Sequence, residues 1–173
     1  TASTGIRNVA FGDVDGDAKI DMLVTDGRLS VHRNIGSSGT ISFATKVEFT
    51  TGSTPSGIAV VDLDRDGKLD VATSDKNGNG VSIFHNTGSS GTVSFASAFS
   101  LYTGNSSSPE ALAIADIDND GRADIISTSE NLGRFIVFRN LSSPGSLSSS
   151  SSFSAVTVTT GSGPIGVGVG DIT

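Results

Sequence analysis

Three stretches of this chain carry four aspartates each at one shared spacing. They are Asp13, Asp15, Asp17 and Asp21; Asp62, Asp64, Asp66 and Asp70; and Asp116, Asp118, Asp120 and Asp124. Each set occupies positions 1, 3, 5 and 9 of a nine-residue loop, with glycine at position 6 in the second and third copies, Gly67 and Gly121. Alternate residues of a tightly curled backbone point to the same side, so the first three carboxylates converge. Position 9 returns from the following strand, and the position-7 carbonyl of Lys19, Lys68 or Arg122 fills a remaining gap. Such a donor set is all hard oxygen, which suits Ca²⁺ with its six to eight oxygen ligands. Zinc is disfavoured because no Cys or His lies within any of the loops. Magnesium, which holds its waters, fits a dense carboxylate set poorly. The expectation is three Ca²⁺ sites, one per loop.

Charge leads to the same conclusion. The loops hold 12 of the 18 acidic residues, and carboxylates packed this closely repel one another if left bare. Three bound Ca²⁺ would move the formal charge from −7 to −1. Solvated Asp-Gly turns would be the ordinary explanation for one such loop, but not for three in register. An EF-hand, which opens with the same residues, needs Glu at position 12, where these loops have Val24, Thr73 and Ser127. The first loop departs from the others in having Ala18 at position 6 and its glycine, Gly16, at position 4. A left-handed alanine costs about 1–2 kcal/mol, so the first site is expected to be the weakest or the most distorted.

The elements that must hold these loops repeat with them. The opening aspartates stand 49 and 54 residues apart, and a fourth motif begins 55 residues later at Asp171 before the chain ends at Thr173. Val31-His32-Arg33-Asn34, Ile83-Phe84-His85-Asn86 and Val137-Phe138-Arg139-Asn140 are equivalent segments. Gly36-Ser37-Ser38-Gly39-Thr40 and Gly88-Ser89-Ser90-Gly91-Thr92 are nearly the same turn, and a Phe follows at Phe43, Phe95 and Phe153. Strands are expected over Gly57 to Val61, Leu69 to Thr73, Val81 to His85 and, from its alternation, Thr92 to Phe99. No segment carries a helical period over ten residues. Four short strands per unit predict an all-β protein of propeller-type blades. The units are 1–52, 53–104 and 105–161, with the start of a truncated fourth at 162–173.

Composition excludes several functions. Eleven basic residues without a cluster argue against nucleic acid. No apolar run approaches the ~20 residues that cross a bilayer. Cysteine is absent, which removes disulfides and leaves bound metal as the available staple. His32 and His85 fall at non-equivalent places in the repeat and read as ordinary strand or surface residues. No serine lies in a nucleophile elbow, and the acids outside the loops share no spacing. The segment is expected not to be an enzyme.

At the acidic loops, and at the Phe11-Gly12 dipeptide preceding the first, the chain resembles the FG-GAP/VCBS repeat family. This family forms the calcium-loop blades of integrin α-subunit propellers and of many bacterial surface proteins. The resemblance implies that each loop joins the first two strands of a four-stranded antiparallel blade, which the metal stiffens. It implies about three blades plus the first strand of a fourth, part of a propeller of about seven, and hence a portion of a longer parent chain. It also implies a secreted or cell-surface module with a role in adhesion and a protein or glycan ligand. A lectin propeller, or an accessory domain of an extracellular polysaccharide-degrading enzyme, would be alternatives. The scarcity of aromatic rings, with one Tyr and no Trp, counts mildly against sugar stacking.

Overall fold

The computed structural model describes residues 5–170. Twelve strands follow in order: β1 (Asn8–Gly12), β2 (Asp21–Thr25), β3 (Leu29–His32), β4 (Val47–Phe49), β5 (Pro55–Val61), β6 (Asp70–Asp75), β7 (Gly80–Phe84), β8 (Phe99–Tyr102), β9 (Leu112–Ala115), β10 (Asp124–Ser129), β11 (Arg134–Asn140) and β12 (Phe153–Thr159). They form three separate four-stranded antiparallel sheets, β1–β4, β5–β8 and β9–β12, each with strands in chain order. The only helical pieces among the described residues are single 3₁₀ turns at Glu130–Leu132 and Ser150–Ser152. This is the blade architecture expected from the sequence. Each acidic loop spans the connection between the first and second strands of its sheet.

The sheets pack face to face. Between the first and second lie Val14, Leu23, Leu29, Val31, Val71 and Phe84; between the second and third lie Leu63, Ala72, Val81, Ile83, Ile125, Ile136 and Phe138. Period-two alternation explains how the middle sheet serves both. Adjacent residues Val71 and Ala72, and likewise Ile83 and Phe84, point to opposite faces and join different cores. Consequently β6 and β7 are buried along their whole length, whereas the outer strands β4 and β12 are largely exposed.

The expected strand over Thr92–Phe99 is not formed. The fourth strand of the middle blade is β8, Phe99–Tyr102, while Thr92 and Phe95 make only isolated bridges to Ser89 and Asn86. The alternation has another cause. Val93 and Phe95 drop from a loop into the core between the first two blades, where Phe95 meets Phe49 edge-on at 4.9 Å. Burial on one side produced a strand-like pattern without a ladder. Pro164–Gly170, at the start of the fourth unit, pairs with no strand, and Asp171 lies outside the described residues.

Candidate metal centres

The three loops share one internal hydrogen-bond scheme. The position-1 carboxylate accepts from the N–H groups of positions 5 and 6: Asp13 from Asp17 (3.1 Å) and Ala18 (2.8 Å), Asp62 from Asp66 (3.2 Å) and Gly67 (3.0 Å), Asp116 from Asp120 (3.0 Å) and Gly121 (2.8 Å). The position-5 carboxylate accepts from the N–H of position 7, which is Lys19, Lys68 or Arg122. The side chain of that same residue pairs with the position-5 acid, at 3.2, 3.9 and 2.5 Å respectively. The curl therefore comes from aspartates folding back on their own backbone, as short acidic side chains do in turns.

Ala18 takes the left-handed conformation expected of it, but it is not alone in doing so. Position 4 is also left-handed in every copy, at Gly16 (φ 68°), Arg65 (φ 59°) and Asn119 (φ 58°), as is position 6 at Ala18 (φ 65°), Gly67 (φ 88°) and Gly121 (φ 81°). Each loop has two left-handed residues and one glycine to serve them. The first loop relieves position 4 and leaves the strain at Ala18; the second does the reverse with Arg65. The third leaves it at Asn119, the residue type that tolerates this region best. Backbone strain of this kind is therefore not peculiar to the first loop.

Position 9 is a structural hub. Asp21, Asp70 and Asp124 each accept from the position-2 N–H, at 3.1, 2.9 and 3.0 Å, and from the N–H of Asn34, Asn86 or Asn140, at 2.8 Å in all three. Those asparagines then tie neighbouring blades together. Asn86 Nδ2 donates to Leu69 in its own loop and to Val14 in the preceding one, both at 2.9 Å. Asn140 repeats this toward Ala123 (3.1 Å) and Leu63 (2.7 Å). A further bond runs from the next blade's turn to the position-3 carbonyl: Gly91 N–H to Asp15 (2.9 Å) and Gly145 N–H to Asp64 (3.0 Å). Thus the loop of one blade is gripped by the blade that follows it.

Ligand-capable oxygens gather within 4.8 Å of one another in three combinations: Asp13, Asp15 and Asp17; Asp62, Asp64 and Asp70; and Asp116, Asp118 and Asp124. The second and third combinations bring position 9 in beside positions 1 and 3; the first brings position 5 instead. The first loop also borders a cleft of ≈ 150 Å³ lined on its other side by Lys68, Asn86, Ser89 and Ser90. Burial raises the carboxyl of Asp21 above its ordinary value and pushes that of Asp70 up to about 6, against the two backbone N–H bonds each accepts. Burial likewise raises Asp64, with the nearby His85 acting in the opposite direction. Buried, crowded carboxylates of this kind are the donor set that a cation holds ionised. The residues fit a metal ion, and an oxygen-only set in each loop fits a hard one.

A fourth combination was not foreseen. Asp64, Asp66 and His85 also bring one ligand atom each within 4.8 Å. His85 directly follows β7 and comes to 3.2 Å from Asp64 Oδ2, so it is not an ordinary surface residue. The repeat held the signal. Arg33, His85 and Arg139 occupy one position, immediately before the clamping asparagine, and all three face position 3 of their own loop. Arg33 Nε donates to Asp15 at 2.5 Å, and Arg139 Nε donates to Asp118. A basic residue thus stands at this position in every blade.

A family model described as FG-GAP-like repeat matches residues 13–73 and 65–127, which together cover more than half of the chain. No curated protein matches it.

Proposed function

The chain belongs to the FG-GAP-like repeat family, and from that premise we propose a calcium-binding structural and recognition module of a secreted or cell-surface protein. Ca²⁺ in the three loops stiffens the link between first and second strands, and adhesion to a protein or glycan ligand uses loops elsewhere on the blades. One observation carries this reading: carboxylates converge at the same strand connection in every blade. The oxygen chemistry of Asp13/Asp15/Asp17, Asp62/Asp64/Asp70 and Asp116/Asp118/Asp124 favours Ca²⁺ over softer ions. Extracellular Ca²⁺ modules operate at Kd of about 10⁻⁴–10⁻³ M, a range that suits a location outside the cell. Further blades of a longer parent chain would cover the exposed apolar residues at the two ends of the stack, such as Phe11 and Val156.

The test is calcium titration of chelator-treated protein by calorimetry, paired with thermal unfolding. An ion that binds only the folded state stabilises it by about 2.7 kcal/mol at a hundred times Kd, a rise in Tm of roughly 5–10 °C for a chain of this size. Unfolding that ignores Ca²⁺, together with no heat of binding at millimolar Ca²⁺, refutes the proposal.

A further inference from the structure

The middle loop differs from its neighbours in the state of its position-3 aspartate. Asp15 and Asp118 are each neutralised by an arginine, through Arg33 and Arg139. Asp64 is fully buried, and neither of its carboxylate oxygens has a hydrogen-bond partner. His85 Nε2 is buried and unpartnered as well, although it lies only 3.2 Å from Asp64 Oδ2. Two desolvated polar groups that face each other without bonding are costly unless something between them accepts both.

Two donor sets meet on Asp64. One is the all-oxygen set Asp62, Asp64 and Asp70; the other is the mixed set Asp64, Asp66 and His85. An imidazole nitrogen is a poor partner for Ca²⁺ and a good one for borderline-soft divalent ions such as Zn²⁺. Ligand atoms about 2.0–2.1 Å from a tetrahedral ion stand ~3.3 Å apart, close to the observed separation of His85 Nε2 and Asp64 Oδ2. The outer loops cannot offer this set, because guanidinium groups do not ligate metals.

We propose that the middle loop is a selective transition-metal site, binding Zn²⁺ or a similar divalent ion through Asp64, Asp66 and His85 Nε2. The inference rests on the reading of these loops as cation sites but not on the ion in the other two. Because Asp64 belongs to both sets, Zn²⁺ and Ca²⁺ compete in the second blade and not in the first or third.

The chelator-treated chain is titrated with ZnCl₂ alone, with CaCl₂ alone, and with CaCl₂ after Zn²⁺ saturation. One Zn²⁺ should bind tightly, and saturation should remove one Ca²⁺ from the stoichiometry. His85→Gln and His85→Arg should each weaken Zn²⁺ binding at least about tenfold, whereas His32→Gln should leave it unchanged. Circular dichroism and calcium binding are the checks on whether His85→Gln is folded, and Asp66→Asn supplies a second loss of ligand independent of the histidine. Absence of Zn²⁺ binding, or Zn²⁺ binding that ignores both His85 variants, overturns the proposal. Zn²⁺ binding without any Ca²⁺ binding would instead defeat the calcium reading and leave this one standing; Ca²⁺ without Zn²⁺ does the opposite.

Discussion

The second and third acidic loops have the same motif and the same internal hydrogen bonds, yet they live in different environments. Position 2 is Leu63 at 0% exposure in one and Ile117 at 46% in the other. The position-3 aspartates follow suit, with Asp64 buried and Asp118 exposed. Nothing within the nine residues accounts for this. The third blade covers the second loop with Asn140, Gly145 and Ser142, and none of the described residues covers the third loop in this way. The first loop, covered by Asn86 and Gly91, resembles the second, with Val14 at 2%. A repeat motif supplies the donors, while the neighbouring repeat determines how dry they are.

The asparagine clamp should separate these environments most sharply. Asn86→Ala strands the Val14 and Leu69 carbonyls and the Gly88 N–H, all now satisfied by one buried side chain. At about 1–3 kcal/mol for each unsatisfied buried group, a loss of roughly 3–5 kcal/mol is expected in denaturant unfolding. Asn34, half-buried in the first blade, donates its side-chain amide only to Ile20 among the described residues. Its alanine variant should lose less than half as much. Equal losses would mean that the interblade bond contributes nothing.

A smaller difference is expected at position 2. Leu63→Ala empties a site in the core between the second and third blades and should destabilise by about 2–5 kcal/mol. Ile117→Ala, on an uncovered loop, should cost about 1 kcal/mol or less, because little apolar surface is withdrawn from water there. Comparable values for the two would contradict the proposed role of the covering blade.

The smallest effect is pH-dependent and lies at the far end of the same hairpins. Asp75 and Asp26 are equivalent, five residues beyond position 9. Burial pushes Asp75 up to about 6 despite hydrogen bonds donated by Ser82 (2.6 Å) and Thr73 (3.3 Å). Asp26 is also partly desolvated, but bonds from Lys46 and Ser30 outweigh that and lower its carboxyl. The signs are therefore opposite. Native Asp75 keeps its proton between pH 4 and 6 while the unfolded chain has released it. Its contribution to stability is thus full below pH 4 and lost as pH rises through 6. That of Asp26 is present above pH 4 and lost as pH falls. Over pH 4 to 6.5, the stability difference between wild type and Asp75→Asn should change by about 2–3 kcal/mol, the variant gaining as pH rises. A flat difference curve would show that Asp75 ionises normally.

Much of this was legible in the residues. The spacing of Asp62, Asp64, Asp66 and Asp70 identified the loop, and the fifty-residue period identified the blade, because both are local or repetitive patterns. Alternation over Thr92–Phe99 does not make a strand, because alternation reports one-sided burial and Phe95 achieves that from a loop. Ala18 takes the left-handed conformation expected at position 6, whereas the second left-handed position leaves no mark in the motif, being glycine only at Gly16 and otherwise Arg65 and Asn119. The role of His85 has no local signature, because its partner, Asp64, stands 21 residues earlier and meets it only across the blade.

The sequence by itself determined the all-β repeat, the three acidic loops and the hard-oxygen character of their donors, since each depends on residue type and near-neighbour spacing. Tertiary structure alone decided which carboxylates converge, which of them are buried, and which basic side chain stands opposite. Those outcomes depend on packing one blade over the loop of another, and burial of a charge is a property of its surroundings, not of the motif that carries it.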